Sequence, residues 1–324
     1  MKYTYDKTQE AVFSRAVQEE DYERIRELLV RTLALTPPGF NWDIRRWEGK
    51  RWYDRRATGD PDWHKNSQLW ETNAGQLIGL VHADGMGFPY LEVHPDYRYL
   101  EADMIVWAEN HLTEPTTDNA GRRLQFFVYD YDVHRQRILE ERGYQKMACG
   151  GGIRHLRLGQ QPLAKPNLAE GYTLRAPQPE NGRDAQQIAD LLNASFNRTF
   201  HNALEYQQFT RNATCFHPEL DLVAVAPDGR FAAYVGVPYD EFNKRGIFEP
   251  VCTHPDHRQK GLAKALMQQG LRQLKAWGAI DVVVETGDMI PANHLYNSLG
   301  FTEMYKGRTL QRTIRIDISR VESS

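Results

Sequence analysis

The residues best placed to do chemistry lie between Gly246 and Tyr305. An apolar run from Ile247 to Thr253 ends at His254-Pro255-Asp256 and is followed by Arg258-Gln259-Lys260-Gly261-Leu262-Ala263-Lys264. A strand, a tight polar turn and a helix start make an anion site. The first N–H groups of a helix lack intrahelical acceptors, and its dipole adds partial positive charge there. Gly261 and Ala263 keep the turn free of bulk, while Arg258, Lys260 and Lys264 supply cations. Such a turn suits a diphosphate. It is neither G-x-x-x-x-G-K-[ST] nor G-x-G-x-x-G. Cys252, His254 and His257 have a spacing that could ligate zinc. A structural site wants a fourth ligand, and a strand running into a turn points these side chains apart, so no metal is expected.

The elements that must position this turn are legible around it. From Leu262 a helix is expected, with Ala263, Met267, Leu271 and Leu274 on one face, Leu266 and Trp277 beside it, and Gly278 at its end. Asp281 to Thr286 reads as a buried strand, and Pro291 opens a short helix that closes at Gly300. Gly246 to Thr253 reads as the central strand, with a bulge or frayed pairing at Pro250, which has no N–H.

Arg258 to Ala263 resembles the Q/R-x-x-G-x-G/A signature of the GNAT superfamily of acyl-CoA-dependent N-acyltransferases. Asn293, Tyr296 and Leu299-Gly300-Phe301 resemble its second signature. Two signatures at this separation are a specific match, clear over the last half of the chain. The resemblance implies that CoA's diphosphate sits on Arg258, Gln259, Lys260, Gly261, Leu262, Ala263 and Lys264. It implies that the central strand and the next one splay, with the pantetheine arm along the backbone of Val251, Cys252 and Thr253. It makes Tyr296 the general acid to the CoA sulfur. Asn293 either bonds the pantetheine or caps its helix. Glu249, late in the central strand, is the chosen base, directly or through water, and a backbone N–H near Val251 the oxyanion donor. Cys252 has no catalytic base beside it and reads as a wall residue.

The first half repeats the second. Val93-His94-Pro95-Asp96-Tyr97-Arg98 parallels Thr253-His254-Pro255-Asp256-His257-Arg258, about 160 residues apart, and Leu139 to Tyr144 parallels Tyr296 to Phe301. At the cradle, however, Gly261 corresponds to Glu101 and Ala263 to Asp103; Tyr296 corresponds to Leu139 and Glu249 to Pro89. Two carboxylates would repel a diphosphate, so the first copy is not expected to bind CoA. The fold class is therefore α/β, two tandem GNAT-like domains, each a mixed, mostly antiparallel sheet flanked by helices. The first spans 1–160 and the second, active one 168–324, joined near Gly159 to Asn167. A worn first copy before an intact second one also resembles the architecture of mycothiol synthases.

Earlier, Asp21 to Leu35 reads as a helix, and Gln68 to Thr72 with Gln76 to Ala83 as a strand pair. Tyr144 to Ala148 is a further strand. Asn41 to Arg56 mixes Trp42, Trp47, Trp52 and Tyr53 with six basic residues. It reads as an amphipathic helix with tryptophans inward and arginines solvated, ahead of a nucleic-acid surface. A net charge of −3 also argues against nucleic acid. Cys149, Cys215 and Cys252 are odd in number and scattered, which suits a reducing compartment. With no leader pattern and no long apolar run, a cytoplasmic protein without a membrane partner is expected. The expected activity is acetyl transfer from acetyl-CoA to a small primary amine. A non-catalytic acyl-CoA-binding protein is the alternative. For the acceptor wall the sequence offers Tyr239, Asp240 and Glu241; a homodimer is one assembly open to the chain.

Overall fold

The computed structural model describes residues 11–53, 62–118, 121–160 and 162–315; the chain's first ten residues, Arg55 and Arg56 lie outside them, as does the side chain of Cys149. In order, the elements are β1 (Val12–Ala16), α1 (Tyr22–Leu33), α2 (Ile44–Trp52), β2 (Gln68–Thr72), β3 (Leu77–Ala83) and β4 (Pro89–Val93). Then come α3 (Glu101–His111), β5 (Glu114–Pro115), β6 (Gly121–Tyr129), α4 (Val133–Glu141), β7 (Gln145–Arg157), β8 (Thr173–Arg175), α5 (Gly182–Phe196) and α6 (Ala203–Asn212). The chain continues with β9 (Leu222–Val225), β10 (Phe231–Val235), β11 (Tyr239–Asp240), β12 (Arg245–Ile247), β13 (Val251–Thr253), α7 (Leu262–Ala276), β14 (Asp281–Gly287), α8 (Ile290–Ser298) and β15 (Glu303–Arg315). No helix among the described residues is long and apolar enough to cross a membrane.

Two compact units form. One comprises Met1–Trp42, His64–Gly152 and Tyr305–Ser324; the other comprises Asp43–Trp63 and Ile153–Met304. The units thus cut across the two sequence copies: α2 joins the later one, and the end of the chain joins the earlier one.

In the first unit β1 to β4 make an antiparallel sheet in sequence order, and β15 pairs antiparallel with β6 from Gly307↔Tyr129 to Arg315↔Gly121. Alternation along β6 sends Leu124, Phe126 and Val128 inward, against Met104, Ile105 and Leu139. The expected strand at Tyr144 is longer than its apolar content suggested: β7 continues through three glycines to Arg157.

The second unit holds the sheet β8-β9-β10-β13 and, in a second sheet, β11, β12, β14 and the end of β7 from Ile153, with β12 parallel to β14. α7 packs against both and buries Leu262, Ala265, Leu266, Met267, Leu271 and Leu274. Each fully buried leucine contributes about 1.5–3 kcal/mol. The expected face is corrected at its ends. Ala263 is only half-buried, and Trp277 is 41% exposed, lying beyond the last helical turn against His217 and Tyr239. Gly278 follows with φ +89°, the left-handed stop.

A charged clamp closes the edge of this unit. His155 places Nε2 3.0 Å from Asp281 Oδ2 and Nδ1 2.8 Å from Glu303 Oε2, while Arg245 Nη2 lies 2.7 Å from Asp281 Oδ2. Bonding to Asp281, then to Glu303, raises the imidazole above its ordinary 6.5 against the opposing effect of burial. Burial alone would raise Asp281, but Arg245 and His155 hold it down at about 2. A raised histidine stabilises fully below its unfolded pKa, and that contribution is lost as pH climbs through the folded value. A depressed aspartate stabilises above its unfolded pKa and is lost as pH falls toward about 2. Urea unfolding from pH 6 to pH 9 should therefore show declining stability in the natural protein and a flatter profile in His155→Gln. Parallel profiles would mean the clamp contributes nothing.

Candidate active site

The site begins where one strand changes sheets. Arg245 to Ile247 pair in parallel with Asp281 to Val283, and Phe248 N donates to Val283 O at 2.9 Å. At Glu249-Pro250, a cis peptide, the chain leaves β14. Val251, Cys252 and Thr253 pair instead with Val235, Tyr234 and Ala233 of β10. The irregularity expected at Pro250 is present, since a residue without an N–H cannot carry a ladder. Beyond Phe248, β13 and β14 belong to different sheets, and a wedge opens between them. Glu249 is pinned at its apex: its N–H donates to Gly236 O at 3.0 Å, and Gly236 N donates to Pro250 O at 2.9 Å. Cys252 is buried, and desolvation pushes its thiol up to about 12. A thiol that stays protonated is a poor nucleophile.

The anion cradle follows. Gln259 and Gly261 have φ of +62° and +73°. The left-handed conformation comes without steric cost only at glycine; elsewhere it costs roughly 1–2 kcal/mol. Gly261 is the N-cap of α7 and offers no side chain to cap it. Ala265 N is the first to find an acceptor, Gly261 O at 3.0 Å; the N–H groups of Leu262, Ala263 and Lys264 find none among the described residues. Leu262 is buried and anchors the turn. Arg258 Nη2 donates to Ser195 O at 3.1 Å, and Lys260 Nζ stands 5.4 Å above the Tyr172 ring. Tyr172 OH lies 2.8 Å from His257 Nδ1, and His254 Nδ1 accepts from Asp256 N at 3.3 Å. Among the described residues no group of three or more His, Cys, Asp or Glu side chains could hold a metal.

The first copy fills the matching turn from within. Glu101 is fully buried, 2.5 Å from Arg98 Nε and 2.8 Å from Arg135 Nε, and Arg98 also pairs with Asp132. Burial opposes ionisation there, but Arg135 and Arg98 outweigh it and hold the carboxyl below its usual range. Of the two carboxylates noted in the sequence, only Glu101 enters the cradle position; Asp103 is exposed.

On α8, Tyr296 is 5% exposed, with its ring 6.3 Å from Phe301. Its hydroxyl makes no hydrogen bond among the described residues, and burial pushes its pKa up to about 12, against a small opposing effect of Arg154. The phenol therefore stays protonated throughout the neutral range. The Asn293 amide is taken up internally: Nδ2 donates to Gly287 O and Met289 O at 3.0 Å each, and Oδ1 accepts from Arg154 Nε at 2.8 Å. It holds the β14–α8 turn. Arg154, which also donates to Asn297 Oδ1 and Phe301 O at 2.7 and 2.9 Å, carried no signal in the sequence.

The largest correction concerns α2. The tryptophan reading holds, since Trp47 is 1% exposed. Glu48 pins the helix to this unit by accepting from Thr214 Oγ1 at 2.5 Å and Cys215 N at 3.0 Å. The arginines are not simply solvated. Arg45 Nε stands 3.8 Å from Glu249 Oε2, Arg46 Nη1 stands 3.4 Å from Glu285 Oε2, and Arg51 lies over Trp52 at 4.4 Å. Asp43 caps α2 through Arg46 N at 3.0 Å. Burial and then the charge of Glu249 push its carboxyl up to about 6; Glu285 is raised mainly by desolvation. By contrast, Asp240 accepts from Asn243 N and Nδ2 within its own turn, and Tyr239 OH donates to Trp277 O at 3.4 Å. Glu241 Oε1 lies 3.5 Å from His217 Nε2. Only Asp240 is bonded within the β11–β12 turn; Tyr239 and Glu241 reach Trp277 and His217, and none of these contacts involves Glu249.

Residues 185–301 match the acetyltransferase (GNAT) family. A streptothricin acetyltransferase of Streptomyces lavendulae is 34% identical over 80 residues, covering 24% of this chain and only 42% of that protein. A mycothiol acetyltransferase of Arthrobacter sp. (strain FB24) is 27% identical over 252 residues, 75% of each chain. In fold, the chain resembles a GCN5-related N-acetyltransferase from Sphaerobacter thermophilus, with a TM-score of 0.63, 20% identity and coverage of 95% and 97%. It also resembles a tandem GNAT protein from the clavulanic acid biosynthesis pathway, with a TM-score of 0.61, 16% identity and coverage of 94% and 98%. The family match is thus confined to residues 185–301, and the chain shares the fold of a tandem GNAT protein.

Gly261→Glu would put a carboxylate where the first copy carries Glu101. Calorimetry should show CoA affinity falling by at least about 10²-fold, as expected for like charges in contact. Thermal unfolding should show a loss of only about 1–2 kcal/mol for the left-handed conformation. Unchanged affinity would remove the turn from the binding site.

Proposed function

We propose that this protein transfers an acetyl group from acetyl-CoA to a small primary amine, and that the second unit does the chemistry. The observation that carries the reading is the uncapped start of α7, set directly after the strand that leaves β14. The free N–H groups there, with Arg258, Gln259, Lys260 and Lys264, receive the diphosphate. The backbone of Val251, Cys252 and Thr253 lines the wedge and receives the pantetheine arm as an added strand would. The family signature and the names of the relatives, both acetyltransferases, point the same way.

Glu249 takes a proton from the incoming ammonium, directly or through one water, leaving a lone pair on nitrogen. That nitrogen attacks the thioester carbonyl, and the developing oxyanion meets a backbone N–H near Val251. When the C–S bond breaks, Tyr296 gives its proton to the departing sulfur, and the remaining extra N–H proton leaves the nitrogen through water and restores the phenol. Its raised pKa suits a group that must hold a proton until then. Nothing equivalent stands in the first copy, where Leu139 and Pro89 replace Tyr296 and Glu249 and Glu101 closes the cradle.

Thiol release from acetyl-CoA with a panel of primary amines tests this. Tyr296→Phe should lower kcat by about 10²–10⁴-fold while the Kd for CoA changes little. Glu249→Gln should lower kcat and shift the alkaline demand of the reaction. Tight CoA binding without turnover of any amine, unaltered in Tyr296→Phe, would show a binding protein instead.

A further inference from the structure

Arg45 is a buried guanidinium without a closed carboxylate pair. In the same unit Arg175–Asp184 closes to 2.6 Å and Arg245–Asp281 to 2.7 Å. Arg45 keeps only 12% side-chain accessibility and stops 3.8 Å short of Glu249. Its Nε is sealed from solvent without a hydrogen-bond partner, and none of its N–H groups donates a hydrogen bond among the described residues. Desolvating a cation while leaving its donors unused is costly, and such a group calls for an explanation.

Two aromatic rings flank it. The guanidinium carbon lies 5.6 Å from the Tyr53 ring centroid and 5.2 Å from that of Phe209. Gly49, one turn further along α2, makes room for it: a Cβ there would come within 2.6 Å of Arg45 Nη1. The helix is pinned by Glu48 on Thr214 and Cys215. Its successive residues Arg45 and Arg46 face Glu249 and Glu285, one on each side of the wedge. The guanidinium is thus held beside the group assigned as base. The negative charge around it is moderated, because burial raises both Asp43 and Glu285.

We propose that the acceptor is an amine with a carboxylate on the neighbouring carbon, of α-amino-acid type, and that Arg45 receives the carboxylate while Glu249 faces the ammonium. This rests on the acetyl-transfer reading and on Glu249 as its base. A fixed cation and anion side by side complement the paired charges of such a zwitterion. A planar guanidinium with unused donors matches a carboxylate in two parallel hydrogen bonds. Arg45 is then a specificity residue, supplied by the first half of the chain to the catalytic unit of the second.

The test uses the full chain, acetyl-CoA and matched acceptor pairs: an α-amino acid and the amine left by its decarboxylation, with apolar, hydroxylated, acidic and basic side chains. For the best pair, kcat/KM should favour the amino acid by at least about 10²-fold, the penalty of leaving a built hydrogen-bonding site empty. Arg45→Met should bring that ratio close to unity, carried by KM for the amino acid. Gly49→Ala keeps the charge but displaces it; the ratio should fall by about tenfold, with no drop in Tm. Equal turnover of both members by the natural enzyme would overturn the proposal. So would an Arg45→Met variant that slows both equally, which would make Arg45 a prop for Glu249. These outcomes leave acetyl transfer standing. If no amine releases thiol although CoA binds, the transfer reading fails. Calorimetric binding of α-amino acids to the CoA-loaded protein then decides the carboxylate site: binding lost in Arg45→Met supports it, and no binding overturns it.

Discussion

A β-strand can offer its backbone to only two neighbours, and the second unit turns on one segment that changes a neighbour midway. Up to Phe248 the segment belongs to β14; from Val251 it belongs to β10. Pro250, which cannot donate, sits at the change, and the reciprocal bonds between Gly236 and Glu249-Pro250 fix where it happens. The consequences are geometric. Phe248 is buried where the segment changes partners, Glu249 follows it, and from Val251 on the two backbone edges pair in different sheets. α7 packs under both sheets, so its start is held where β13 ends.

The two copies of the turn show what an uncapped helix start requires. In the first, Glu101 supplies an anion from the chain itself, neutralised by Arg98 and Arg135. In the second, the equivalent residue is Gly261, and no side chain takes that place. The same local design is closed in one copy and open in the other. A buried, salt-bridged carboxylate is a stable filling, because removing either partner leaves an unpaired charge. This gives a physical reason for the first copy to serve as scaffold.

Much of the second unit was legible in the sequence because its signals are local. The turn at Arg258 to Ala263, the apolar core of β14, the Pro291-to-Gly300 helix and the break at Pro250 follow from residue types a few positions apart. What was not legible depends on distant partners. The pattern of α2 is the same whether Arg45 meets water or Glu249, which is about 200 residues away in sequence. Asn293 reads in the sequence as a ligand contact or a cap, and its bond from Arg154 comes from 139 residues away. The glycines of β7 hid a strand that pairing sustains, and Trp277 looked like core because it lies at helical spacing just past the helix end. Nor does a linear sequence show that residues 43–53 pack with the later unit and 305–315 with the earlier one.

The central claim, that paired phosphates are gripped by main-chain amides at the start of α7 with the pantetheine arm in the wedge, is tested most directly by amide hydrogen exchange with and without CoA. The account predicts slowed exchange over Gln259 to Lys264 and Val251 to Thr253, with Pro95 to Asp103 unchanged. Protection confined to Pro95 to Asp103, or none at either turn, would contradict it.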